Sequence, residues 1–177
     1  MIKGSVKLVC VSVVGLFSYG AVMGFSSITL VSPVAVAIGG AAVSAAIYPL
    51  AGKLWQRILS VSGHVLPILC HLVVVTGIVM ALFYLLNFIF AAQDTLHKET
   101  AVVENRYTET RYHSKRVSRN RYVRGDPYSV YYIDVSLPGG WRKPMQIDLK
   151  KYNKIRQGDT LQIPVARGLF GVSVMKR

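Results

Sequence analysis

Acidic residues are missing from the first half of this sequence. All eight Asp and Glu lie at or after Asp94, and only Lys3, Lys7, Lys53 and Arg57 of the 21 Lys and Arg precede it. A segment without carboxylates cannot perform carboxylate acid–base chemistry or hold a hard metal ion. Cysteine is scarce too. Cys10 and Cys70 are the two in the chain, which excludes a disulfide framework and a paired-cysteine metal site. Also absent are a Gly-rich phosphate loop, a His-Glu-x-x-His helix and a nucleophile elbow. Asp134 and Asp148 project from the face opposite the buried alternation described below and read as surface partners of local Arg and Lys. The sequence therefore gives no catalytic residue, no metal ligand set and no cofactor, and it reads as a non-enzymatic protein.

What is present is segregated. The chain is 52% hydrophobic and yet carries a formal net charge of +13, with a positive mean hydropathy of +0.39. From Leu8 to Gly52 there are 45 consecutive uncharged residues, and one helix needs about 20 to cross a bilayer core. Two crossings fit, at about residues 6–28 and 34–52, with Pro33 marking the second helix start. After the connection KLWQRILSVSGH, the stretch HVLPILCHLVVVTGIVMALFYLLNFIFAAQ supplies a third, at about 65–92. A cleaved signal peptide is the rival for the first segment. Its apolar run is too long, and no small-x-small site follows at the usual distance. Residues 1–93 thus read as a three-helix transmembrane anchor and 94–177 as a basic extramembrane domain.

Lys3 and Lys7, then Lys53 and Arg57, flank the spans on one side, while the first connection is uncharged. Positive segments stay cytoplasmic. The N-terminus is therefore expected inside, and after three crossings the C-terminal domain outside. Helices in lipid associate through small residues. Gly20-x-x-x-Gly24 in the first span and Gly40/Ser44 in the second each share a face, predicting a tight hairpin of spans one and two, with self-association through these faces as the alternative. His64, His71 and Asn87 are polar at membrane depth. The histidines read as interfacial, since a site of His alone lacks further ligands, and Asn87 as a bond across helices.

From Tyr128 onward the hydrophobic period becomes two, the mark of half-buried strands. Tyr131, Ile133, Val135 and Leu137 share one face; Lys143, Met145, Ile147 and Leu149 share another; Leu161, Ile163 and Val165 a third; Val172 and Val174 point inward on a last strand. Pro138-Gly139-Gly140 reads as a hairpin turn, and Pro164 as an edge or bulge. KKYNKIRQ allows no more than a turn of helix. Thr100 to Val123 can form two further strands, although its alternation is poor. The fold class is membrane α + β: three transmembrane helices, then a small antiparallel β-sheet or partly open barrel of five or six strands.

RYTETRYHSKRVSRNRYVRG, from Arg106 to Gly125, places seven Lys and Arg beside the single acid Glu109. Arg and Tyr are favoured anchors of protein interfaces, and the candidate partner-binding residues are Arg106, Tyr107, Arg111, Tyr112, Arg116, Arg119, Arg121, Tyr122 and Arg124. A second cluster comprises Arg142, Lys143, Lys150, Lys151, Lys154 and Arg156. Such a stretch also suits phosphate and base stacking, but a domain outside the cytoplasm seldom meets nucleic acid. The partners implied are membrane lipids and an acidic protein, with homo-oligomers compatible and no nucleic acid.

Tyr152, Ile155, Gly158, Asp159, Leu161 and Ile163, followed by Gly168-Leu169-Phe170-Gly171, carry a resemblance. With the helical anchor, this ending resembles small bacterial inner-membrane proteins of unknown function, some of them immunity partners of secreted toxins. The resemblance implies a multi-pass inner-membrane protein with a periplasmic β domain that neutralises an antibacterial toxin. An accessory subunit of a larger envelope complex is the other expectation.

Overall fold

Three stretches that are apolar on every side form three long helices, α1 (Ile2–Ser26), α2 (Pro33–Leu59) and α3 (Val65–Ile89). All three are long and apolar enough to cross a membrane; α3, at 1.5 Å per residue, is about 37 Å long against a hydrocarbon core of about 30 Å. The computed structural model describes residues 2–60 and 63–176. Residues 61–62 of the expected second connection, the terminal Arg177 and the side chain of Lys3 lie outside the described residues. Ser32 caps α2 by accepting the Ala35 amide at 3.5 Å, and Pro33 takes the first helical position, where its missing N–H costs nothing. The helix does not stop at residue 52. It continues through Lys53, Trp55 and Arg57 because Trp55 is buried against α3, its ring 5.9 Å from His71.

The helices do not pack as the sequence suggested. α3 lies against both α1 and α2, which meet each other only marginally, so the expected hairpin of the first two spans gives way to an α3-centred arrangement. Notches decide this. Gly40 of α2 sits over Met80 and Thr76 of α3, where an added Cβ would lie 3.3 and 3.4 Å away. Ser44, fully buried, donates its hydroxyl to the His71 carbonyl at 3.5 Å, and His71 Nε2 donates back to the Ser44 carbonyl at 2.9 Å. His64 meets Gln56 at 3.0 Å. Both histidines thus tie α3 to α2. On the other side, Gly77 of α3 receives the Tyr19 ring, within 2.9 Å of where a Cβ would stand, and the Tyr19 hydroxyl donates to the Val73 carbonyl at 2.9 Å. Gly20 follows Tyr19 by about 100° around the helix, so seating Tyr19 turns Gly20 and Gly24 away. Neither has any atom within 4 Å of a notional Cβ.

The chain divides into two compact units, Met1–Leu96 with Val165–Arg177, and His97–Pro164. A boundary at residue 94 therefore leaves out the return of the C-terminal tail to the helices. In the first unit, β5 (Ser173–Met175) pairs with the end of β4 (Thr160–Arg167). On its other side the Leu30 amide donates to the Ser173 carbonyl and the Met175 amide to the Ile28 carbonyl, both at 2.8 Å. Asn87, fully buried, bonds this tail and not another helix. Its Nδ2 donates to the Val172 carbonyl at 3.1 Å and its Oδ1 accepts the Phe170 amide at 3.1 Å. Gly168 must be glycine here, since a Cβ would overlap the Asn87 amide.

In the second unit, β1 (His97–Ser118), β2 (Arg121–Leu137) and β3 (Trp141–Ile147) are joined by tight turns. The sheet is antiparallel and open, in the order β3-β2-β1-β4-β5. Ile133, Val135 and Leu137 are buried as the alternation required, with Ala101, Val103 and Ile163. Gly139 and Gly140 turn the β2–β3 hairpin at φ +88° and +80°, a region open to glycine. Leu149 departs from its expected inward place. It is exposed because it starts a short helix, α4 (Leu149–Lys154). Pro164 sits just before the β4–β5 ladder begins at Val165, so its missing N–H interrupts no pair there.

Gly77→Val forces Tyr19 out of its notch and should lower thermal stability in detergent by about 1–3 kcal/mol. Gly20→Leu should change it by no more than about 0.5 kcal/mol. The reverse order would contradict the α3-centred packing.

Candidate functional site

Most of the candidate partner-binding residues lie on one element. The poorly alternating stretch upstream of Tyr128 forms most of a single 22-residue strand, β1, and the first half of β2. Its alternation is poor because both faces meet water. From Tyr107 through the turn at Arg119–Asn120 to Ser129, every residue is exposed except half-buried Gly125. The hairpin thus extends as a bare two-stranded arm, roughly 35–40 Å long at the usual rise per residue.

Arg106 stands at its root, with Nη2 donating to the Tyr152 carbonyl of α4 at 2.6 Å and the guanidinium 4.2 Å above the Tyr152 ring. Tyr152 also packs on Tyr131, at 4.9 Å between rings. On one face of the arm Tyr107 stacks on Tyr132 at 5.3 Å. Next, Arg111 donates to Glu109 through Nε and Nη2 at 3.0 and 2.9 Å and to the Tyr132 hydroxyl at 2.6 Å. His113 then stacks on Tyr128 at 4.4 Å. Further out, Arg124 lies 3.2 Å above the Tyr112 ring. Near the tip Arg116 donates to the carbonyls of Ser118 and Arg119, at 3.1 and 2.8 Å, and so braces the turn. Cross-strand aromatic and cation–π pairs each contribute about 0.2–1 kcal/mol at exposed sites. Together they stiffen a ribbon that has no core of its own.

The candidates fall into two groups. Tyr107, Arg111, Tyr112, Arg116 and Arg124 are engaged in these ladders while remaining open to solvent, and Arg106 is half-buried at the root. Arg119, Arg121 and Tyr122 stand at the tip, Tyr122 being 61% exposed. The helix-packing candidates Gly20, Gly24, Gly40 and Ser44 are not part of this assembly. Sequence reasoning missed Tyr132 and Tyr152, aromatic partners of the chosen residues, and the His113–Tyr128 stack. Their signal was the repeat at every second position on β1 (Tyr107, Glu109, Arg111, His113, Lys115), visible only once cross-strand register is known.

Electrostatics keeps the arm cationic. Glu109 beside the guanidinium holds the Arg111 pKa above its ordinary value, with Tyr132 adding to the effect. Burial raises the Tyr107 phenol, and Asp134, Tyr132 and Glu109 raise it further, so it stays neutral and able to donate a hydrogen bond. Away from the arm, burial lowers the Lys143 ammonium on its half-buried strand position. No cluster of His, Cys, Asp or Glu suited to a metal ion occurs among the described residues. The arm can therefore offer directional hydrogen bonds, aromatic faces and positive charge.

Comparison with protein-family models, curated proteins and solved structures gave no match.

One glycine holds the arm's shape. Between Tyr112 and Ser114 β1 advances two residues while β2 advances three, from Pro127 to Arg124, so the bulge lies on β2 at Gly125–Asp126. A Cβ on Gly125 would approach the His113 carbonyl to 2.9 Å. Gly125→Val should open the distal hairpin, accelerating amide exchange across residues 114–124 by about tenfold, with residues 131–137 unchanged. Uniform exchange along β2 would contradict an independently braced arm.

Proposed function

We propose that this protein is a non-enzymatic, multi-pass membrane protein that captures an acidic protein partner through the β1–β2 arm. The observation that carries this reading is an exposed, stiffened ribbon with seven Lys and Arg and one acid between Arg106 and Gly125. Opposite charge accelerates encounter. Arg and Tyr side chains already held in place lose little freedom on binding. With Lys7, Lys53 and Arg57 cytoplasmic, the arm stands in the periplasm of a bacterial inner membrane. There it is suited to neutralising a secreted antibacterial toxin, as in the immunity proteins whose layout the sequence resembles.

A second reading, an accessory subunit of an envelope complex, draws on a different observation. Gly20 and Gly24 line an open groove of about 580 Å³ with Phe25 and Phe88, and nothing within 4 Å meets a notional Cβ at either glycine. A small-residue face of this kind suits a further helix.

Replacing Arg111, Arg116, Arg119 and Arg121 together by Glu inverts the arm's charge without touching the helices. The variant should reach the membrane at the wild-type level, yet lose both co-purification of an acidic protein in mild detergent and protection against a toxin encoded beside it. Retained capture would reduce the arm to a solvated surface. Loss of capture on Gly20→Leu in its place would favour the accessory subunit.

A further inference from the structure

We infer that the outer edge of β1 in the arm, from Glu109 to Arg116, is a template for strand addition by an acidic, extended polypeptide. The inference rests on the arm-capture reading and specifies how the capture is made.

At the root the β1 outer edge is occupied. The Val103 amide donates to the Asp159 carbonyl at 2.9 Å and the Gly158 amide to the Val103 carbonyl at 2.8 Å. Tyr152 of α4 reaches as far as Thr108. Beyond that point β1 is paired with β2 on one side, and among the described residues no strand pairs with the other. Its N–H and C=O groups there form an unpaired row, the feature that recruits an additional strand.

The two edges of the arm differ in how they are guarded. Proteins blunt exposed edges with proline and with bulges. β2 carries both, Pro127 and the bulge at Gly125–Asp126, whereas β1 has neither a proline nor a glycine between Asn105 and Arg116. Across that span its register loses no step to an extra residue of its own. Its sequence ETRYHSKR combines strand-favouring Thr and Tyr with cations that deter a like-charged edge but not an acidic one.

Charge selects the occupant. An added strand lies about 4.8 Å from its neighbour, so its side chains would meet Arg111 and Lys115 on one face, and Arg116 with the Arg124–Tyr112 pair on the other. Acidic residues on both faces of the incoming strand find partners. A second copy of the arm would bring cations against cations. An anionic lipid surface would satisfy the charge but leave the row of N–H and C=O groups unmatched.

The test uses the full-length protein in neutral detergent, unaltered, so folding does not enter. The probes are a twelve-residue peptide of alternating Glu and Thr, a peptide of equal charge with two Thr replaced by Pro, and phosphatidylglycerol vesicles against reconstituted protein. The alternating peptide should bind at least tenfold more tightly than the proline peptide. It should also slow exchange at alternate amides of residues 109–116 and leave residues 121–130 unaffected. Equal binding by both peptides without that protection overturns strand addition and leaves the arm-capture reading standing. Binding to vesicles alone, with neither peptide captured, overturns both.

Discussion

A bilayer core offers no hydrogen-bond partners, and most features of this molecule follow from that constraint. Backbone polar groups must be satisfied within each segment, so the apolar half of the chain forms helices, with Lys53 and Arg57 confined to the C-terminal end of α2. Three side chains at depth find protein partners, Tyr19 the Val73 carbonyl, His71 the Ser44 carbonyl and Asn87 the tail backbone, while the buried Tyr84 hydroxyl of α3 has none among the described residues. These bonds, together with the notches at Gly40 and Gly77, make α3 the post on which α1 and α2 are hung. The C-terminal tail returns to the same post, so the first unit is closed by the last residues of the chain as well as by its helices.

The basic half meets a different problem. Its distal hairpin has no hydrophobic core, and an isolated two-stranded ribbon is marginal in water. Stacked pairs, Tyr107 on Tyr132 and His113 on Tyr128, and guanidinium groups bridging them, supply the missing order. The residues that suit a binding surface are thus the ones that brace it. That coupling gives function a structural logic: a ribbon stiffened by its own Arg and Tyr presents charge in a fixed pattern, with one edge guarded by Pro127 and a bulge and the other left plain.

Apolar length and charge segregation made the three spans legible, and period-two alternation located β2, β3 and β4 together with the Pro-Gly-Gly turn. The C-terminal end of α2 was not legible, because Lys53 and Arg57 read as a connection until Trp55 is seen buried beside His71. Nor was the helix arrangement. Gly20-x-x-x-Gly24 has the form of a packing motif, but the adjacent Tyr19 finds Gly77 and rotates that face outward, a choice that depends on a residue in another helix. The arm's composition was plain in the sequence. Its geometry was not, since a ribbon wet on both faces has no hydrophobic alternation to betray it.

The proposed function requires three crossings that leave the cationic arm on the side of the membrane opposite the N-terminus. Ser118→Cys places a thiol at the exposed tip of the arm, while native Cys10 and Cys70 lie within the long apolar helices α1 and α3. A membrane-impermeant maleimide added to intact spheroplasts should label this variant and not the parent chain. Labelling that occurs only after the membrane is lysed would put the arm in the cytoplasm and contradict the account.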